Sequence, residues 1–468
     1  MNGFPLARGL RALRPVGSIP KPQNATGRFS YLQSRRWASS TNSRSSQGEF
    51  YPVDSHRIVE PPSPAPPTTP STGNAVRLSL APAKYADFGA MFLRDNCRCP
   101  KCVHPDTSQR IVDTFSIPED IKATGVDDTQ QGVIKIQWSD GHLSSYPIHW
   151  LSQHSQYYSV LPLESGRRPP YPKLRHFLTQ DPSKKEYPTV SYSAVMADDK
   201  GVLQWLQHIY DWGFCFVKDT PVNPESTEAL LKRIAHIRHT HYGGFWDFTA
   251  DLSFKDTAYT NEFLGAHTDN TYFTDPARLQ LFHLLSHTDG EGGASLLVDG
   301  FQAAKTLIEE DQVNALHLKR HKHPFHASGN EDMVITPTDL APVFGTHPLL
   351  GSQLIQIRWN NYDRATKWNW QTYEQAQWYK AAKHFDEIIR RPQSEIWTQL
   401  EPGTALIFDN WRMLHGRSAF TGKRRMCGGY INNDDFISRY RVLKFGRRHV
   451  MDNIGNTKYH HNNPNSYV

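Results

Sequence analysis

The chain has 468 residues, 38% hydrophobic and 12% aromatic, enough to bury a large core in two or three domains at most. It carries no apolar run near the roughly 20 residues a membrane-spanning helix requires. The formal net charge of +6 suggests nucleic acid only until it is located: residues 1–49 hold eight basic residues and one acid, and the rest nets −1.

In chain order, residues 1–48 are Arg- and Ser-rich and free of acids, as a mitochondrial transit peptide is; Arg35-Arg36-Trp37-Ala38 is the expected processing region. Residues 49–75 form a linker, with Pro61, Pro62, Pro64, Pro66, Pro67 and Pro70 among Ser and Thr. Residues 76–165 read as a small β-rich domain. Val133–Trp138 alternates as a strand does, and Asp140-Gly141 marks the turn after it. Cys97, Cys99 and Cys102 place three thiolates within six residues, a structural zinc pattern that needs a fourth ligand. His104 and His142 are both candidates on position.

Residues 166–186 are Pro- and charge-rich and read as a connector. Helical spacing of Val202, Leu203, Leu206, Ile209 and Tyr210 predicts a helix ended by Gly213, followed by a strand at Phe214–Val217. Asn223-Pro224 is a helix start, with Leu230, Leu231, Ile234 and Ile237 as its buried face. Tyr242 and Trp246 are four apart, so a helical or turn-like segment brings them together. Ala294–Val298, Leu354–Trp359 and Thr404–Phe408 read as strands, and Trp378, Ala382, Phe385 and Ile389 as a helix face. The fold class is mainly β with flanking helices over 187–446. Residues 447–468 read as a flexible tail.

His267-Thr268-Asp269 and the distant His415 have the spacing of a 2-His-1-carboxylate facial triad for non-haem iron, since residues i and i+2 of a strand face the same side. Arg424 and Arg425, nine and ten residues beyond His415, offer a guanidinium for a carboxylate cosubstrate.

Six ordered blocks carry a resemblance: Leu93-Arg-Asp-Asn-Cys-Arg-Cys99, Asp256-Thr-Ala-Tyr259, His267-Thr-Asp-Asn-Thr-Tyr-Phe273, Leu297-Val-Asp-Gly-Phe301, Asn360-Asn-Tyr-Asp-Arg-Ala365 and Asp409-Asn-Trp-Arg-Met-Leu-His-Gly-Arg417. Over roughly residues 76–445 the chain resembles the Fe(II)/2-oxoglutarate dioxygenases of carnitine biosynthesis, which act on trimethyllysine or on gamma-butyrobetaine. The resemblance implies a double-stranded β-helix core of the jelly-roll, taurine-dioxygenase-like kind and an N-terminal zinc-binding β domain. It implies iron ligands His267, Asp269 and His415, and Arg424 on the distal carboxylate of 2-oxoglutarate. It implies an aromatic cage of Tyr242, Trp246, Tyr259 and Tyr430 for a trimethylammonium group. It selects His142 over His104 as the fourth zinc ligand beside Cys97, Cys99 and Cys102. The blocks look more like the trimethyllysine members, which implies hydroxylation of trimethyllysine at C3 with O2, and ascorbate as an accessory; hydroxylation of gamma-butyrobetaine is the alternative. Asp251 is the candidate partner of the substrate ammonium, and Asn360 and Asn361 of its carboxylate. A homodimer and a mitochondrial matrix location complete the expectations.

Overall fold

In the computed structural model the described residues are 75–155, 187–249, 260–347 and 354–454, apart from 82–83, 108, 129–131, 330, 369 and 453. The expected transit peptide and connector fall outside them, as does all of the expected linker but Ala75.

The N-terminal part contains the hairpin β1 (Ala75–Ala81) and β2 (Lys84–Gly89) and a three-stranded antiparallel sheet of β3 (Ala123–Asp127), β4 (Val133–Trp138) and β5 (Leu143–Pro147). Alternation in β4 buries Ile134, Ile136 and Trp138 on one face. They join Leu78, Phe88, Leu93 and Tyr146 in a separate apolar cluster. Gly141 adopts φ 80° in the turn that follows β4, a conformation a side chain would strain.

The larger part is two antiparallel-rich sheets. One holds six strands in the order β6 (Thr189–Ser191), β7 (Phe214–Lys218), β15 (Ala405–Asp409), β10 (Leu279–Thr288), β17 (Lys423–Ile431) and β8 (Trp246–Thr249). The other holds four: β14 (Glu395–Thr398), β11 (Ser295–Asp299), β16 (Met413–Arg417) and β9 (Leu264–His267). A short hairpin, β12 (Phe344–Thr346) with β13 (Leu354–Ile357), stands apart from both sheets. Apart from the consecutive pair β6 and β7, neighbours in both large sheets are distant in sequence, the pattern of a jelly-roll double-stranded β-helix.

Helices buttress the sheets. Asp199–Trp212 is capped by the Asp198 carboxylate and ended by Gly213 at φ 83°, as its spacing predicts. Pro224–Lys232 starts on the Asn223 cap but is shorter than the apolar pattern suggested. Ile234 lies buried beyond its end, so tertiary packing and not helical periodicity places that side chain. Thr372–Ile389 buries Trp378, Ala382, Phe385 and Ile389 as expected. The segment that starts the expected C-terminal tail is instead a short helix, Arg447–Asp452. Its Arg448 and Asp452 form an i,i+4 ion pair, which favours the turn locally. Among the described residues no helix is long and apolar enough to cross a membrane.

Two buried ion pairs tie the strand ends together. Arg278 grips both oxygens of Asp409 at 2.9 Å, and Arg412 grips Asp299, with a shortest contact of 2.7 Å. Breaking one such buried pair costs roughly 3–5 kcal/mol, because the remaining charge is left without a partner. The strongly matched blocks around Leu297–Phe301 and Asp409–Arg417 therefore meet each other in space.

Candidate functional site

The pocket opens between the two sheets. Strand alternation selects its lining: Gln280 and Phe282 from β10, Arg424, Met426 and Tyr430 from β17, Trp246 and Phe248 from β8. Leu264, His267, His415 and Arg417 face them from β9 and β16, with Ser295 from β11.

His267 and His415 are direct cross-strand partners in the β9–β16 register, so pairing alone sets their rings side by side, with centroids 4.4 Å apart. Asp269 lies just past the end of β9, so the strand geometry expected for it does not place it. The Asn410 amide does. It accepts a hydrogen bond from the Asp269 backbone N–H at 2.8 Å and donates to the Asp269 carbonyl at 3.0 Å. Asn270 then turns the chain at φ 59°, a left-handed conformation that asparagine tolerates.

The three side chains converge. Asp269 Oδ1 lies 3.2 Å from His267 Nε2 and 3.6 Å from His415 Nε2. His267 Nδ1 donates to the Gly265 carbonyl at 2.8 Å, which leaves the Nε2 lone pair directed at the cluster. Asp269 Oδ2 is held from behind by the Gln280 amide at 2.8 Å and the Tyr430 hydroxyl at 2.9 Å. Burial works against ionisation of Asp269. The charges and hydrogen bonds of His415 and His267 outweigh it and hold the carboxyl well below the usual carboxylate range. Two imidazole nitrogens and a carboxylate oxygen, with His267 and Asp269 braced by outer partners, fit a divalent iron site.

Arg424 and Arg425 separate by alternation along β17. Arg425 points outward and pairs with the surface carboxylate of Asp247. Arg424 points inward and is 6% exposed. Its Nε meets no acceptor, and its neighbours are the Phe420 ring and the like charge of Arg417. Burial, with Arg417 second, lowers its pKa to about 10. A buried guanidinium facing a pocket without a carboxylate partner is a site for an anion.

The aromatic wall stands opposite. Trp246 and Tyr430 lie 6.2 Å apart at 66°, and Tyr242 meets Tyr272 through their hydroxyls at 3.1 Å. The turn Thr240–Gly243, not a helix, brings Tyr242 toward Trp246 at the head of β8. Tyr272 and Phe282 complete the wall and were not singled out from the sequence, although Tyr272 lies inside one of the matched blocks. Gly428 was also missed: a Cβ there would collide with the Trp246 indole and the Leu281 carbonyl, so only glycine seats the indole. Tyr259 and Asp251 lie outside the described residues. Asn360 lines the pocket, where its amide donates to Asp363 at 2.8 Å. Asn361 is not brought to the pocket; it is exposed and accepts from Arg364.

A second cluster sits in the N-terminal part. His142 Nε2 lies 3.3, 3.5 and 3.5 Å from the sulfurs of Cys97, Cys99 and Cys102. A tetrahedral zinc with ordinary bond lengths sets that N–S edge at about 3.5 Å. His104 turns elsewhere, its Nδ1 accepting from the backbone of Asp106 and Thr107. Buried Arg94 touches Cys102 Sγ at 3.5 Å and bonds Asp140, whose carboxylate also holds the His142 backbone. Burial pushes the Cys102 thiol up to about 11, whereas hydrogen bonds from the Lys101 backbone and the neighbouring cysteines outweigh burial at Cys99 and lower it.

Two family models match the chain: the taurine catabolism dioxygenase TauD, TfdA family over residues 176–430, and the gamma-butyrobetaine hydroxylase-like N-terminal family over residues 70–152. The chain is 47% identical over 405 residues to the trimethyllysine dioxygenase of Neurospora crassa, covering 78% of this chain and 82% of that one. It is 36% identical over 373 residues to the mitochondrial trimethyllysine dioxygenase of Homo sapiens, covering 77% and 84%. To the gamma-butyrobetaine dioxygenase of a Pseudomonas species it is 31% identical over 377 residues, covering 80% and 95%.

Proposed function

The chain belongs to the TauD, TfdA family of dioxygenases, and from that membership we propose that it hydroxylates N6,N6,N6-trimethyl-L-lysine at C3. The products are 3-hydroxy-trimethyllysine, succinate and carbon dioxide, the first step of carnitine biosynthesis. The observation that carries the reaction class is the pairing of the converged His267, Asp269 and His415 with the buried, unpartnered Arg424 in one pocket. The higher identity to relatives named for trimethyllysine supports that amine over gamma-butyrobetaine.

His267, Asp269 and His415 would hold Fe(II), and Arg424 the distal carboxylate of 2-oxoglutarate. Bound together, these groups supply oxidation of an unactivated C–H bond by O2, with ascorbate keeping the metal reduced. The chain's residues orient the substrate. Tyr242, Trp246 and Tyr430 present ring faces and edges to a quaternary ammonium, which cannot donate a hydrogen bond and is best held by π faces. Tyr259 is proposed as a fourth member. The Tyr430 hydroxyl is spent on Asp269, so the same ring that faces the cation also braces an iron ligand. Leu264, Phe248, Phe282 and Met426 exclude water around the reacting carbon.

Incubating the full chain with Fe(II), 2-oxoglutarate, ascorbate and trimethyllysine is expected to add one oxygen atom to the amine, read by mass spectrometry. Oxygen addition to gamma-butyrobetaine alone would overturn the substrate. Gln280→Leu removes one of the two donors on Asp269 Oδ2 and is expected to weaken Fe(II) affinity roughly 10–100-fold. Metal titration followed by 2-oxoglutarate turnover checks it; unchanged affinity would mean the Tyr430 hydroxyl suffices.

Cys97, Cys99, Cys102 and His142 are proposed to hold a structural zinc that closes the N-terminal β domain. Three thiolates and a neutral imidazole leave zinc one negative charge in excess, which Arg94 offsets. Cys102→Ser is expected to take zinc from about one per chain to near zero and lower the unfolding temperature of this part. Elemental analysis beside a thermal melt reads both. Mitochondrial placement, in the matrix, is proposed from the acid-free leader and the relatives labelled mitochondrial, and a homodimer from the resemblance alone.

A further inference from the structure

We propose that Phe282 spaces the cation site from the iron ligands, so that the carbon four bonds from the ammonium nitrogen is the one presented for oxidation. The assignment rests on the functional reading above and adds to it the chain length that the pocket selects.

The spacing begins in the strand register. Phe282 on β10 faces Gly428 on β17, and Gly428 faces Trp246 on β8, so the three stand in one row across the sheet. Two strands apart, the backbones of Phe282 and Trp246 are separated by about 10 Å. Gly428 puts no side chain between them, and a Cβ there would strike the indole. The two rings therefore close over the gap, with centroids 5.4 Å apart. On its other side the Phe282 ring lies 6.1 Å from the imidazole of His415, which belongs to the facing sheet. Its strand neighbours Leu281 and His283 are fully buried, whereas Phe282 is half-buried and lines the pocket. One benzene ring thus stands between the cage indole and an iron ligand.

An ammonium held on Trp246 and a carbon presented beside His415 must lie at the two ends of that ring. In trimethyllysine C3 is the fourth carbon from the quaternary nitrogen, a reach of about 5 Å in an extended chain, comparable with either ring separation. The three methylenes between them lie along an apolar face, which suits their burial. In gamma-butyrobetaine the fourth carbon from nitrogen is the carboxylate carbon, which has no hydrogen to lose. Its methylenes all lie within three bonds of nitrogen, at most about 4 Å from it, and are held back over the ring. Chain length alone then separates the two amines, without a charged partner for either.

The full chain with Fe(II), 2-oxoglutarate, ascorbate and trimethyllysine is expected to place the new hydroxyl at C3 alone, located by NMR of the product. Phe282→Ala frees space for the cation to settle nearer the iron ligands, so part of the product should carry its hydroxyl at C4. A second measurement reads binding without turnover: calorimetric titration of the Mn(II)- and 2-oxoglutarate-loaded protein with 6-(trimethylammonio)hexanoate and with gamma-butyrobetaine. Both ligands lack an α-ammonium and differ in chain length only. The wild type should prefer the longer one, and Phe282→Ala should narrow that preference roughly tenfold. Phe282→Leu keeps apolar packing and is expected to shift both readouts the same way by less; it decides the matter if the alanine variant does not fold. Product confined to C3 with an unchanged chain-length preference in the variants overturns the assignment. If the wild type hydroxylates trimethyllysine while the variants behave so, only the role of Phe282 is wrong. If the wild type does not hydroxylate trimethyllysine, the functional reading falls and this assignment with it.

Discussion

Replacing His415 with alanine is expected to abolish amine hydroxylation, a loss well beyond the roughly 10–100-fold that removal of an outer metal partner costs. The reason lies in the register. His415 faces His267 across β16 and β9, and both imidazoles lean on the same oxygen of Asp269. Removing His415 takes away a ligand. The variant should therefore bind Fe(II) poorly as well as turn over slowly. The β-sheet around the site should persist, because Leu414 and Met413 supply the buried packing of β16 and the backbone ladder is untouched. Iron content per chain and circular dichroism separate the two effects: low iron with a native spectrum is the expected result. Full iron content in the variant would remove His415 from the ligand set.

The triad was legible because its chemistry needs residue types that are rare together, and because strand pairing carries two of the three side chains. The bracing of Asp269 was not. Asn410, Gln280 and Tyr430 reach it from 141, 11 and 161 residues away, and no local periodicity records such a meeting. Asn410 did stand inside a matched block, but as a letter without a role. The helix at Asn223-Pro224 shows the same limit on a smaller scale. Its start was readable from capping chemistry, whereas its end was misjudged because Ile234 continues the apolar pattern after the helical hydrogen bonds stop. The zinc quartet lay between these cases. Three sulfurs within six residues announce a metal, but the choice of His142 over His104 depends on how β4 and β5 fold back, which the sequence reached only through the resemblance.

Replacing Arg424 with methionine is expected to raise the KM for 2-oxoglutarate by roughly 100-fold, the cost of truncating one partner of a buried charge pair. Arg425→Met is expected to change it little, because an exposed pair such as Arg425–Asp247 contributes about 0–1 kcal/mol. The two residues are adjacent, of the same type and equally distant from His415 to within one position. Only the alternation of β17 distinguishes them, turning one to solvent and the other to the pocket. Arg424 sits in that pocket without a protein anion and beside the like charge of Arg417, so the free protein bears the full desolvation penalty of a guanidinium. An incoming dicarboxylate relieves the penalty, and methionine, with similar reach and no charge, removes both the penalty and the relief. The methionine variant should thus be at least as stable to heat as the wild type while binding the cosubstrate poorly. A thermal melt read beside 2-oxoglutarate saturation kinetics tests the pair of outcomes together. A destabilised variant with an unchanged KM would mean that Arg424 holds the fold, and that the anion site must be sought on Arg417.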